Sequence, residues 1–179
     1  MGGAGPSSQP AGDDGALEEL ADLLAPLLTP TTAIVCVGND LCGDDGVGPA
    51  VARDLAGTVP WAVFDARTAP ESFLGKIIAG RPESVVLIDA LDFGGPVGAV
   101  RIIPPGDVGG QGPSTHGPAP LAFLEALAIM CPCRCAVVGV QPGHVEPGTP
   151  MSPPVARAGR RLVHALRRLA RTDGNAAGM

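Results

Sequence analysis

Four acids and one histidine carry the chemistry that this chain can offer: Asp44 and Asp45 in a glycine-rich run, Asp65 and Asp89 each closing an apolar run, and His116 after Pro113-Ser114-Thr115. Asp45, Asp89 and His116 make a two-carboxylate, one-imidazole set. Such a set suits a borderline divalent metal and leaves coordination positions open for substrate or water. Asp89 ends a run that is otherwise apolar, a placement that demands a partner or a function. Asp44 and Asp45 also fit ordinary capping, since acids are favoured in the first turn of a helix, and one of the two is expected to serve that way. Asp65 divides evenly between structure and function, and Asp92 reads as the start of the Asp92-Phe93-Gly94-Gly95 turn.

Other constellations are weaker. Gly38 to Gly43 has P-loop glycine spacing, but Asp44-Asp45 stands where Lys and Ser or Thr would meet phosphate, and two acids repel an anion. The glycines instead permit a sharp turn that carries a carboxylate over a crevice. Cys131-Pro132-Cys133-Arg134-Cys135 lacks the C-x-x-C spacing of structural zinc sites, so these cysteines read as small, partly buried residues. His164 lies among Arg160, Arg161, Arg167 and Arg168, as on a solvated basic helix face. His144, in a Pro-Gly loop, fits either loop surface or substrate contact. No Gly-x-Ser-x-Gly elbow or Cys-His pairing supports a covalent nucleophile.

The elements that must position these residues follow from periodicity. Apolar runs rich in Val and Ile at Ala33 to Gly38, Trp61 to Asp65, Ser84 to Ala90, Ala99 to Ile103 and Cys135 to Gln141 read as five buried strands. Helical patterns occupy Ala16 to Leu28, Asp44 to Leu55, Pro70 to Ala79, Leu121 to Met130 and Val155 to Ala170. The alternation specifies an α/β fold: three layers, with a mostly parallel twisted sheet of five strands and helices on both faces. The link Leu91 to Gly98 is too short for a helical crossover, so the Ala99 strand should run antiparallel to its predecessor. Ligands of such sheets bind beyond the carboxyl ends of the strands, where strand order reverses, commonly between the first and third. The first run leads into the Gly38 to Gly48 loop that carries Asp44 and Asp45, the second ends in Asp65, and the third ends in Asp89-Ala90.

Composition sets the outer bounds. Gly and Pro make 46 of the 179 residues, seven of them within the first 15, so residues 1–15 read as a disordered tail. Residues 16–172 form a single α/β domain and 173–179 a flexible end. Five cysteines without a signal-like start point to reduced thiols and a cytoplasmic setting. No apolar run reaches the roughly 18 to 20 residues of a membrane helix. Residues 1–156 carry 17 acids against six bases, while 157–179 carry six Arg and one Asp. An acidic body with 3% aromatics argues against nucleic acid and for a small molecule, a metal or a protein partner.

Six strings together resemble the hydrogenase maturation endopeptidases: Cys36-Val37-Gly38-Asn39, Gly43-Asp44-Asp45-Gly46-Val47-Gly48-Pro49, Thr68-Ala69-Pro70-Glu71, Ile88-Asp89-Ala90-Leu91-Asp92-Phe93-Gly94, Ser114-Thr115-His116 and Gly139-Val140-Gln141-Pro142. The Ala-Pro-Glu segment is similar to the branch that serves formate-hydrogenlyase and deazaflavin-reducing hydrogenases. The resemblance implies a cytoplasmic endopeptidase that removes the C-terminal extension of a nickel-iron hydrogenase large-subunit precursor after nickel insertion. It implies Asp45, Asp89 and His116 as residues that engage the nickel carried by that precursor, with Asp65 in support. The chain departs from the family's His-x-x-Pro-Leu by one extra residue, in His116-Gly117-Pro118-Ala119-Pro120-Leu121. Two other readings share the acids: a non-catalytic metal-binding maturation module, and a magnesium-dependent phosphoryl-transfer or receiver-like domain. The latter wants a Lys near the last strand, whereas the chain's only lysine is Lys76.

Overall fold

The computed structural model describes residues 13–108 and 119–176. Five helices, α1 (Asp13–Leu24), α2 (Val47–Leu55), α3 (Leu74–Ala79), α4 (Ala119–Met130) and α5 (Pro153–Ala176), surround five strands. The strands are β1 (Thr32–Val37), β2 (Ala62–Arg67), β3 (Ser84–Ala90), β4 (Val100–Ile103) and β5 (Arg134–Val140). The sheet order is β2-β1-β3-β5-β4, parallel except for β4. All five expected strands are present. Two expected helices begin instead as tight 3-10 turns, Gly43–Gly46 ahead of α2 and Pro70–Phe73 ahead of α3. The first expected helix ends likewise in a 3-10 turn, Ala25–Leu27, and α5 runs six residues past Ala170.

Because side chains alternate across a strand, β1 and β3 feed two cores. Ile34, Cys36, Val86, Ile88 and Ala90 pack under Leu24 of α1, Val51 and Leu55 of α2, and Leu162 and Leu166 of α5. Ala33, Val35, Val85 and Leu87 pack under Ile77 of α3 and Phe123 and Leu127 of α4. Every residue of β1 and β3 is buried, as the continuous apolar runs require of central parallel strands. Each fully buried Leu or Phe contributes on the order of 1.5–3 kcal/mol relative to an exposed one.

β4 is antiparallel, as expected, but its partner is β5, which lies between it and β3. The eight residues Leu91 to Gly98 span the roughly 10 Å to the second strand over, and backbone bonds between Gly98, Ala99 and Gln141 fix the landing point. The strand order reverses on either side of β1, which opens the crevice between the carboxyl ends of β1 and β3.

Candidate active site

The loop after β1 must turn sharply to bring Asp45 back over the strand that precedes it. Gly38 does this at φ +140°, where a Cβ would lie 2.0 Å from the carbonyl oxygen of Asp45. Gly48, in the first turn of α2, lies so close to β1 that a Cβ would stand 1.9 Å from the Val37 oxygen. The two glycines let the Gly43–Gly46 turn sink against the end of β3. Asp44 and Asp45 are both buried there, and the Asp45 Oδ2 accepts a 2.9 Å hydrogen bond from the Asn39 N–H. Asp89 is fully buried one residue from the end of β3. By alternation with Val85 and Leu87, it falls on the face covered by α3 and α4.

Asp44 caps no helix in the ordinary way. Its Oδ2 accepts from the N–H groups of Gly143 (2.7 Å) and His144 (3.2 Å), and its Oδ1 from that of Ser152 (2.6 Å), all on the loop between β5 and α5. Burial pushes this carboxyl up, but the Ser152, Gly143 and His144 N–H groups outweigh it and hold it below the usual carboxylate range. The Asp44 N–H in turn donates to the His144 oxygen at 3.0 Å. His144 therefore serves this corner through its backbone. Its ring stands 3.8 Å from Glu146 and 3.4 Å from the Thr149 hydroxyl.

Gln141, which the sequence marks only within the Gly139-Val140-Gln141-Pro142 string and with no role of its own, follows β5 directly and is buried. Its Oε1 accepts from the N–H groups of Phe93 (2.9 Å) and Gly95 (3.1 Å), and its Nε2 donates to Asp92 Oδ1 at 3.0 Å. Asp92 builds the expected turn, accepting also from the Gly94 N–H. The Gln141 amide, joined by that N–H, holds its carboxyl below the ordinary range. The available signal was the Gly139-Val140-Gln141-Pro142 string itself, in which a polar residue follows an apolar strand.

Asp65 belongs to a different corner. The pairing of β1 with β2 shifts register between Cys36 and Val37, and Arg67 takes φ +48°, so β2 continues as a bulged strand two residues past the expected end. Asp65 alternates with Val63 onto the α2 side of the sheet, where it lines a groove with Ala52 and Ala56. That face is opposite to the one that Asp89 occupies. Its charge adds to the burial that pushes the Cys36 thiol up. Arg67 bridges it (3.5 Å) to Asp40 (2.9 Å) on the loop after β1. The acids thus share one rim of the sheet but not one face.

His116 lies outside the described residues. Among the described residues, no three His, Cys, Asp or Glu side chains stand together as a metal site. His164 is exposed on α5, as the basic face predicted. Cys131, Cys133 and Cys135 are free thiols packed at the edge of the α3/α4 core, at the opposite end of the sheet. Among the described residues no helix is long and apolar enough to cross a membrane.

Comparison with known proteins places this architecture. Residues 50–168 match the family model of the HycI hydrogenase maturation protease, a span that includes Asp65, Asp89 and the position of His116 and begins just after Asp45. The hydrogenase 3 maturation protease of Escherichia coli (strain K12) is 34% identical over 130 residues, which cover 72% of this chain and 83% of that protein. A hydrogenase maturation protease HycI from Thermococcus kodakarensis superposes with a TM-score of 0.76 at 28% identity, over 83% of this chain and 99% of that one. The solution structure of the endopeptidase HycI from Escherichia coli gives a TM-score of 0.70 at 32% identity, over 77% and 90% of the two chains. Sequence and fold therefore agree that this chain belongs to the hydrogenase maturation protease family.

Proposed function

We propose that this chain removes the C-terminal extension from a nickel-iron hydrogenase large-subunit precursor, in the cytoplasm, after nickel has been inserted. One observation carries the reading: in a member of this protease family, two carboxylates are buried where the strand order reverses, Asp45 in the turn after β1 and Asp89 at the end of the neighbouring β3. The nickel belongs to the substrate. Asp45 and Asp89, with His116 from the segment ahead of α4, form an oxygen, oxygen and imidazole donor set suited to a borderline divalent ion. Two carboxylates withdrawn from water favour a cation beside them, and only a loaded precursor brings one. Binding energy is then available to the nickel-loaded precursor and withheld from the empty one, which makes metal insertion the licence for cleavage. Asp65 supports the site from its rim, through the Arg67 bridge to Asp40 on the loop that carries Asp45.

The Ala69-Pro70-Glu71 segment and the 34% identity to a hydrogenase 3 maturation protease favour a partner of the formate-hydrogenlyase or deazaflavin-reducing branch. Intact-mass measurement of such a precursor, incubated with this protein with and without nickel, tests the reading. Loss of a C-terminal peptide from the loaded form alone is the expected result. Stable complex formation without shortening would replace the protease with a non-catalytic maturation module.

A further inference from the structure

Asp44 and Gln141 are the two buried polar side chains at the carboxyl end of the sheet that the proposed chemistry leaves unused. They act at the two ends of one segment. Asp44, on the loop after β1, holds Gly143, His144 and Ser152 of the loop after β5. Gln141, at the start of that same loop, holds Phe93, Gly95 and Asp92 of the loop after β3. The loop after β5 is thereby bonded to both of the loops that flank the crevice. Asp45 is the next residue after Asp44, and Asp89 lies three residues before Asp92, which Gln141 holds.

We infer that the segment from Gln141 to Ser152 is a clasp that fixes Asp45 and Asp89 relative to one another, with Asp44 and Gln141 as positioning residues for cleavage. The inference rests on the proposed reading of Asp45 and Asp89 as the residues that meet the substrate. The construction is economical in chemistry: one carboxylate takes three N–H groups and one amide takes two, so five backbone donors of irregular loops are satisfied by two side chains. Charge-assisted bonds of this kind are the stronger ones, and their short lengths leave the loop little freedom. Hydrogen bonds to Asp44 cross 99 to 108 residues of sequence, so the register they impose is tertiary and not a local turn preference.

Asp44→Asn tests the clasp, because an amide cannot accept on both sides as the carboxylate does; its NH2 group must face at least one N–H donor. A displacement of about 1 Å at a reacting centre costs on the order of 100-fold in rate. With the nickel-loaded precursor, assayed at a temperature where circular dichroism shows the variant folded, kcat should fall at least tenfold while KM stays within twofold. Gln141→Glu replaces the donor to Asp92 with a second carboxylate, whose repulsion drives the side chain away from Asp92 and off the Phe93 and Gly95 N–H groups, and the same split is expected. A purely structural role would leave kcat unchanged at a temperature where the variants are folded. Amide hydrogen exchange gives the readout that needs no substrate: Asp44→Asn should expose Gly143, His144 and Ser152, and Gln141→Glu should expose Gly95. A wild-type protein that fails to cleave the loaded precursor overturns the proposed function, and the exchange data then judge the clasp alone. Folded variants with wild-type kcat, or with unchanged exchange at those amides, overturn the clasp. Should Asp44→Asn fail to fold, Gln141→Glu decides it by the same two measurements.

Discussion

The two ends of the sheet finish their strands in opposite ways. At the amino end, neutral hydroxyls satisfy one another: Thr32 Oγ1 and Ser84 Oγ lie 2.7 Å apart across β1 and β3, and Thr29 donates its N–H to Thr32. The Cys133 thiol there stays protonated, with burial, and then the neighbouring Cys135, pushing it up to about 12. At the carboxyl end of the sheet the buried polar groups among the described residues are three carboxylates and the Gln141 amide, and backbone N–H donors from the loops after β1 and β5 feed Asp45 and Asp44. A fold that needed only to terminate strands had the cheaper neutral solution within the same sheet. The charged end is therefore the one shaped by something other than stability.

The sharpest way to break this contrast is to remove charge from the crevice. Asp89→Ala should abolish processing of a nickel-loaded precursor, by intact mass, while far-ultraviolet circular dichroism remains that of the wild type. Asp45→Ala is expected to match it. Full processing by either would place the chemistry elsewhere. Next in size is Gly48→Ala, whose Cβ would meet the Val37 oxygen at 1.9 Å and force α2 off the end of β1. A loss on the order of 3 kcal/mol is expected in denaturant unfolding, as for overpacking against rigid backbone. An alanine tolerated within 0.5 kcal/mol would show that α2 can shift freely, contrary to the close approach that buries Asp45.

The charged end should also give the protein an acid-sensitive corner. The folded Asp44 carboxyl lies below its ordinary value, so its contribution to stability is present above the unfolded carboxylate range, near about 4, and is lost as pH falls through the lower folded value. The stability gap between wild type and Asp44→Asn, from urea titrations at pH 7 and at successively lower pH, should therefore narrow on acidification. A gap independent of pH would mean that the three N–H bonds do not act on the charged form.

Much of this was legible in the sequence because it rests on patterns with a period. Continuous Val and Ile runs gave the five strands, and the acids that follow or close the first three runs are found together at one rim of the sheet. Four things were not legible, each because it depends on pairing across the fold. The bulge that carries Arg67 to a positive φ and extends β2 two residues past Asp65 exists only in the register of β1 against β2. The seat of β4 beside β5 depends on how far eight loop residues reach. Asp44 looked like a helix cap because acids before a helix usually are, whereas its partners lie about 100 residues away. The role of Gln141 was hidden for the same reason, although its string is visible in the sequence: an amide after a strand has no local pattern that announces four bonded neighbours, and here it holds Phe93, Gly95, Asp92 and Pro142.

The smallest expected effect lies at the neutral end. Thr32→Val removes a hydroxyl that bonds Ser84 at 2.7 Å and the Thr29 oxygen at 2.9 Å, and it leaves the shape of the side chain nearly unchanged. A buried hydrogen bond of this type is worth about 1 kcal/mol net, with a further penalty where a partner is left without a mate. Ser84 keeps Thr29 as an alternative at 3.3 Å, which limits that penalty. A destabilisation of about 1 kcal/mol in urea unfolding is expected, with the rate of precursor cleavage unchanged. The two measurements separate the ends of the sheet on one molecule: Asp89→Ala moves activity and spares the fold, whereas Thr32→Val moves stability and spares activity. A Thr32→Val protein that kept its stability but lost processing would show that strand β1 transmits changes along its whole length to Asp45, and the division of labour between the two ends would fail.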